Sequence, residues 1–237
     1  TGTRVQSDKP VQVIGGHYCT YIPFGTGYCD HLEESMIPVN SLSTRYAVSA
    51  PAVTSMPDGK IRYVRIIATA DDTTVSYDPP QSASTHLTRA GDYIELAATA
   101  ATFVVEANKK VMVAQYMEGQ DAGGDMGDPA MALAVPIDQF RLSYLFHAPT
   151  NYEVNYVEVF GPVDLEIVLD GTPIGPLTEI GTSGVGHRRV VLDDGPRADG
   201  NHELRADEEF GISVYGYGQY TSYWYPGGLD LDQIIIG

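Results

Sequence analysis

Cys19 and Cys29 are the residues whose type and spacing most directly suggest chemistry. They lie ten residues apart within a Gly- and Tyr-rich segment, residues 17–30. A disulfide that closes so short a loop contributes about 2–3 kcal/mol on the chain-entropy model, and it indicates an oxidising compartment. The alternatives are two free thiols or half of a zinc site, which would need two further ligands and closer spacing. We predict the disulfide.

Catalytic residues are harder to assemble from this sequence. His17 and His31 flank the cysteines, but a bridged cysteine cannot attack a substrate, and no G-x-S-x-G elbow is present. Glu33 and Glu34 are neighbours, so their side chains diverge on any regular element, whereas a glycosidase needs two carboxyl groups facing each other. We therefore predict a protein that is not an enzyme, with a carbohydrate-active enzyme as an alternative.

Three carboxylates in a glycine-rich segment form the one candidate metal site. Asp121, Asp125 and Asp128 can offer oxygen ligands to calcium. Their spacing is not that of an EF-hand, no glutamate closes the loop, and Asp128 also suits a helix cap. We expect a solvated linker and no cofactor, and calcium is the alternative.

Aromatic side chains provide two candidate recognition surfaces. Exposed aromatic rings stack on sugars or anchor protein partners, and a loop ordered by a disulfide loses less entropy on binding. For the C-terminal aromatics we favour a structural role, in which they cover an open end of the fold, over a role in recognition. The candidates are Tyr21, Phe24 and Tyr28 in the cysteine loop, and Tyr220, Tyr223, Trp224 and Tyr225 near the C-terminus.

Composition restricts the class of protein. The 237-residue chain holds 25 Gly, 15 Pro and 16 Tyr but only 19% charged residues, which suits a turn-rich all-β fold. Its formal net charge of −17 would be repelled by nucleic acid and by anionic bilayers. No apolar run approaches the length of a membrane span. We predict no nucleic-acid partner and no membrane insertion.

The sequence contains an internal repeat. Residues 30–39 align without a gap to residues 128–137, and the same alignment matches residues 46–51 to 144–149. Residues 63–67, 73–78 and 111–116 then match 156–160, 165–170 and 212–217 in the same order. Length differences fall in Gly-, Pro- and Asp-rich stretches, where loops are expected. We therefore predict that the chain contains two copies of one fold.

Each copy has the pattern of antiparallel strands. Thr73, Val75 and Tyr77 alternate with polar residues, and turn pairs such as Asp170-Gly171 separate the segments. We predict an all-β fold of two tandem, internally homologous antiparallel β-sandwich repeats. A helical turn is expected to open each copy, capped by Asp30 or Asp128 and ended by Pro38 or Pro136.

The domain boundaries follow from these repeats. Residues 9–15 resemble residues 109–115, the closing strand of the first copy. We therefore expect residues 1–18 to be the closing strand of a preceding repeat or a leader, residues 19–122 to form the first sandwich, and residues 123–237 the second. The chain is then part of a longer multi-repeat protein.

The residues that define the repeats also carry a family likeness. The chain resembles the N-terminal domain of IgG Fc-binding proteins, the bacterial members most closely, through Gly16-His-Tyr-Cys19, Ile22-Pro23, Cys29-Asp-His31, Pro38-Val39, Gly127-Asp-Pro129, Val135-Pro136, Leu169-Asp-Gly171 and Ser222-Tyr-Trp-Tyr-Pro226. The resemblance implies an extracellular or cell-surface, disulfide-bearing, non-catalytic module. The chain lacks cysteine-dense repeats, so IgG binding is not carried over from the resemblance.

Together these features favour an extracellular adhesion or binding module. It would recognise a protein or a glycan, on a surface or in the matrix, through protruding loops and aromatic side chains. A structural spacer in a surface fibre or stalk is the alternative, because the same repeats would serve it without an aromatic recognition surface.

Overall fold

The computed structural model describes residues 1–122, 126–192 and 199–231. In these residues the chain forms β-strands joined by turns and three single-turn 3-10 helices, and it contains no α-helix. The first half comprises β1 (Ile14–Thr20), β2 (Asp30–Ser35), β3 (Ser43–Val48), β4 (Arg62–Ala68), β5 (Thr73–Asp78), β6 (His86–Leu87), β7 (Tyr93–Thr99) and β8 (Phe103–Met117). The second comprises β9 (Met131–Leu133), β10 (Arg141–His147), β11 (Val154–Pro162), β12 (Ile167–Leu169), β13 (Thr172–Pro173), β14 (Thr178–Glu179), β15 (Val185–Leu192), β16 (Asn201–Gly218) and β17 (Thr221–Pro226).

A long closing strand organises each half. The beginning of β8 pairs with β3 and β5, and its end pairs with β4 and β9, while β4 also pairs with β7. The beginning of β16 pairs in the same way with β10 and β12, and its end pairs with β11 and β17, while β11 pairs with β15. All these pairings are antiparallel. The two curled sheets confirm the predicted all-β class with two sandwich-like halves.

Two buried tyrosines occupy equivalent places in the halves. The Tyr46 hydroxyl donates a hydrogen bond to the Val111 carbonyl at 2.6 Å and accepts one from the N–H of Ser43. The Tyr144 hydroxyl donates to the Phe210 carbonyl, also at 2.6 Å, and accepts from the N–H of Arg141. Both bonds lie beside a register shift at the start of the strand, β3 or β10.

The strand register corrects one detail of the sequence alignment. Tyr63 pairs with Tyr116 in the first half, and Tyr156 pairs with Tyr215 in the second. Tyr116 therefore corresponds to Tyr215, two residues before the Tyr217 that the sequence alignment matched to it. A shift of two keeps every side chain on the same face of the sheet, so the apolar pattern alone cannot detect it.

Each half buries its own apolar core. Val64, Ile66 and Val113 are fully buried in the first core, and Val157, Val159 and Val214 are fully buried in the second. A third cluster joins the halves, with Val53 and Met117 from the first half packed against aromatic side chains of the second. Each half thus has its own core, and a smaller apolar cluster connects the two halves.

The predicted helical turns at Asp30 and Asp128 are wrong. Residues 30–35 form β2, and the segment after Asp128 leads into β9. The Asp30 carboxylate accepts a hydrogen bond from the N–H of His31, so it caps no helix. Pairing with a preceding strand satisfies these backbone groups instead. Pro38 and Pro136 precede short 3-10 helices, Val39–Ser41 and Ile137–Gln139, rather than ending helical turns.

The strands β1 and β2 form a separate two-stranded sheet ahead of the first half. The loop between them contains the two cysteines, and β2 lies beside β9. The predicted boundaries at residues 18 and 122 remain predictions. Within the described ranges, no helix has the length and apolar character needed to cross a bilayer.

Candidate functional site

A disulfide closes the loop between β1 and β2. Cys19 and Cys29 are bonded, with their Cα atoms 5.1 Å apart, and neither cysteine is free. The predicted disulfide is therefore present. At the tip of the loop the Phe24 side chain is 95% exposed, which is unusual for a residue of this size and apolar character.

The loop is fastened to the body of the protein. The Ile22 side chain is buried, and its carbonyl accepts a hydrogen bond from the N–H of Gly119 at 2.8 Å. Within the loop, the Thr26 hydroxyl donates to the Pro23 carbonyl at 2.8 Å. One cross-link and one backbone anchor therefore hold Phe24 outward in a restricted set of conformations.

Tyr28 connects the loop to the second half of the chain. Its ring lies 5.0 Å from the ring of Tyr220, centroid to centroid, and both side chains are about half exposed. The N–H of Tyr220 donates to the side-chain oxygen of Gln120 at 2.7 Å, which fixes the turn between β16 and β17. Tyr220 and, to a lesser extent, Asp121 raise the pKa of Tyr28.

The side chains of Tyr21, Phe24, Tyr28 and Tyr220 are exposed, and we call these four residues the aromatic surface. The structure thus brings one member of the C-terminal candidates to the three from the cysteine loop. Tyr18, on β1 beside Cys19, is 82% exposed at the edge of the same loop.

The surroundings of the aromatic surface are acidic. Residues 10–44 contain three carboxylates and neither lysine nor arginine. Asp121 lies beside the loop, where its carboxylate approaches Gly27. Burial raises the pKa of Asp128 to about 6, with repulsion from Asp30 and Asp121 adding to the effect.

The other C-terminal candidates lie mainly inside the fold. Trp224 is buried, and its ring N–H donates to the Ser213 hydroxyl at 2.6 Å. The Tyr223 hydroxyl donates to the side-chain oxygen of Asn155, and the Tyr225 hydroxyl donates to the His147 carbonyl, both at 2.7 Å. These contacts hold β17 on the second half, so we do not include the three residues in the aromatic surface.

The structure describes two of the three candidate calcium ligands. Asp121 is exposed, Asp128 is buried, and Asp125 lies outside the described residues. The side-chain oxygen Oδ1 of Asp128 has no hydrogen-bond partner in the described part of the chain. Within the same part, no group of three or more His, Cys, Asp and Glu side chains is arranged to hold a metal ion. Calcium binding by the three aspartates therefore remains an untested alternative.

The fold and the site define a class. Two β-sandwich-like halves and an exposed, disulfide-closed loop define an all-β protein. A family model described as IgGFc binding protein matches residues 1–216, and the chain belongs to this family of binding domains, which is not a known enzyme family. Comparison with curated proteins and with solved structures finds no match.

Proposed function

We propose that the chain is an extracellular module that binds a protein partner through the aromatic surface. The observation that carries the proposal is the Phe24 side chain, 95% exposed at the tip of a disulfide-closed loop. Leaving such a side chain in water is unfavourable, and inserting it into a partner's apolar pocket recovers about 2–3 kcal/mol.

The loop is prepared for binding. The disulfide, the hydrogen bond from Gly119 and the contact between Tyr28 and Tyr220 restrict its conformations before a partner arrives. Ordering a free loop on binding would weaken affinity, so this restriction favours a tight complex. An exposed aromatic side chain surrounded by polar groups is the usual anchor of a protein interface.

The partner's chemistry follows from charge. The chain carries a net charge of −17, and the segment that contains the loop has no basic residue other than histidine. A partner with an apolar pocket rimmed by lysine and arginine would complement it, and long-range attraction would speed association. The family description names the Fc region of IgG, and IgG Fc is therefore one probe among several rather than the assigned ligand.

The experiment presents the whole chain to two arrays, one of purified extracellular proteins that includes IgG Fc, the other of glycans. We expect binding to proteins with basic surfaces, reduced by salt over the range 0.05–0.5 M, about one decade of ionic strength. Binding to glycans alone would contradict the proposal of a protein partner. Binding to neither array would favour the structural spacer.

A further inference from the structure

The two halves of the chain contact each other through one well-defined face. On the second half, the outward face of β11, β15 and β16 is buried against the first half. The Arg189 guanidinium donates to the Ala50 carbonyl at 2.5 Å and to the Pro57 carbonyl at 2.8 Å. The Tyr215 hydroxyl accepts from the N–H of Ala52 at 3.0 Å. Loop carbonyls of one half thus dock on the sheet face of the next.

The first half has the same face. Arg65 on β4 pairs with Glu95 on β7, at the positions where Glu158 on β11 pairs with Arg189 on β15. The two ion pairs correspond, with their charges exchanged between the strands.

The face of the first half is more exposed, although the Thr1 hydroxyl at the N-terminus accepts a hydrogen bond from the Arg65 guanidinium at 2.7 Å. The side chains of Arg65 and Glu95 are 24% and 34% exposed, against 17% for Arg189 and 3% for Glu158. Tyr93 on the same face is 48% exposed. Arg65 lies over the rings of Tyr93 and Tyr116, at 4.8 and 5.2 Å from their centroids. The first half therefore presents an arginine and aromatic rings where the second half is covered.

The β1–β2 hairpin reproduces the junction between the halves. Ile14 pairs with Ser35 as Ala114 pairs with Leu133, and the pairing continues in step, with Gly15 opposite Glu34. The same offset aligns residues 9–15 with residues 109–115 in sequence. Sequence likeness and strand pairing thus agree that β1 corresponds to the end of a closing strand and β2 to an opening strand.

We propose that the open face of β4 and β7 is the docking surface for a further repeat of the same type, whose closing strand ends in β1. Such a repeat would place a loop equivalent to residues 49–60 over Arg65 and Tyr93. Its loop carbonyls would replace Thr1 as acceptors for the Arg65 guanidinium, as those of Ala50 and Pro57 accept from Arg189. This continues an interface that the chain already contains, and it is independent of the proposed partner at the aromatic surface.

The test fuses an additional repeat to β1, at the position where the closing strand of that repeat would continue. A copy of residues 135–212 is joined directly to Ile14, because Ile14 occupies the place of Ser213 in the closing strand. Maleimide labelling of a Tyr93→Cys variant then reports on the face, since both native cysteines are bonded. Thr74→Cys, exposed on β5, is the matched control.

We expect the added repeat to slow labelling of Tyr93→Cys by about tenfold or more, and to leave that of Thr74→Cys unchanged, because a packed face becomes accessible only through opening. Equal labelling of Tyr93→Cys with and without the added repeat, in a fusion whose circular dichroism shows the extra strands, would overturn the proposal.

A second fusion covers the case in which the first does not fold. A copy of residues 37–113 is joined to Ile14, and the acceptor half carries Arg65→Glu with Glu95→Arg. This pair of changes restores the charge order of the face that residues 37–113 cover in the native chain. We expect slower labelling of Tyr93→Cys with the exchanged charges than with the native ones. The reverse order, or no protection in either fusion, would overturn the proposal. Neither readout requires the partner of the aromatic surface.

Discussion

The rings of Tyr28 and Tyr220 lie 5.0 Å apart, although one belongs to the disulfide-closed loop and the other to the turn between β16 and β17. This contact fastens the loop to the second half of the chain. A side chain from each end of the sequence therefore contributes to one exposed aromatic surface, and neither segment forms it alone.

Removing the disulfide should loosen the loop. In a Cys19→Ser, Cys29→Ser double variant, the loop keeps the anchor at Ile22 but loses its covalent closure, which contributes about 2–3 kcal/mol. We expect chymotrypsin to cleave after Tyr21 and Phe24 markedly faster than in the parent. Mass spectrometry of the early fragments measures this, with the parent treated identically. Unchanged cleavage rates would show that the non-covalent contacts suffice.

The two corresponding ion pairs should differ in their effect on stability. Glu158 is 3% exposed and contacts Arg189 at 3.0 Å, so Arg189→Ala leaves a buried carboxylate with the His187 ring, at 2.8 Å, as its partner and removes hydrogen bonds to the first half. We expect a loss of about 3–5 kcal/mol in the free energy of unfolding. Arg65→Ala, at the partly exposed equivalent pair, should cost about 1 kcal/mol or less. Urea denaturation measures both, and equal losses would contradict the assignment of a buried interface.

The equivalent tyrosines should respond alike. Tyr46→Phe and Tyr144→Phe each remove a buried hydroxyl that bonds a carbonyl and accepts from an N–H. We expect each change to lower the free energy of unfolding by about 1–3 kcal/mol. A large loss in one variant and none in the other, measured by urea denaturation, would argue against equal roles in the two cores.

Asp128 should make stability depend on pH. Burial and the neighbouring Asp30 and Asp121 raise its pKa to about 6 in the folded chain, above the ordinary 3.8. Its ionisation therefore opposes folding, so the parent loses stability as pH rises from about 4 through 6. We expect Asp128→Asn to be more stable than the parent by about 1–3 kcal/mol above pH 7, and to match it near pH 3.5. Thermal melts across this range measure the difference, and a gap that widens toward low pH would contradict it.

The sequence predicted the local features of the fold well. Alternation along residues 73–78 indicated a strand, and the repeat indicated two like halves, because both signals reside in neighbouring residues. The helical turn at Asp30 failed because a capping pattern is local, whereas pairing of β2 with β1 decides the structure. The sequence pattern could not reveal the two-residue shift in the alignment of β8 with β16, because such a shift keeps each side chain on the same face of the sheet.

The candidate site was only partly predictable. Two cysteines and nearby aromatics identified the loop, since their spacing is short. The sequence favoured a structural role for Trp224 but could not place the residue, because its environment depends on pairing with Tyr215 in β16. Contacts such as Tyr28 with Tyr220, or Arg189 with Ala50, join residues far apart in the chain and have no local signal.

The most direct test of the account compares binding by the parent, Phe24→Ser and Leu145→Ser, using the array protein that the parent binds most tightly. Leu145 is 78% exposed on β10 and serves as the matched control, because it is an exposed apolar side chain outside the aromatic surface. We expect Phe24→Ser to weaken binding by about tenfold or more, equivalent to about 1.4 kcal/mol, with an unchanged melting temperature, and Leu145→Ser to bind like the parent. Full affinity in Phe24→Ser would contradict the claim that the disulfide-closed loop is the recognition surface.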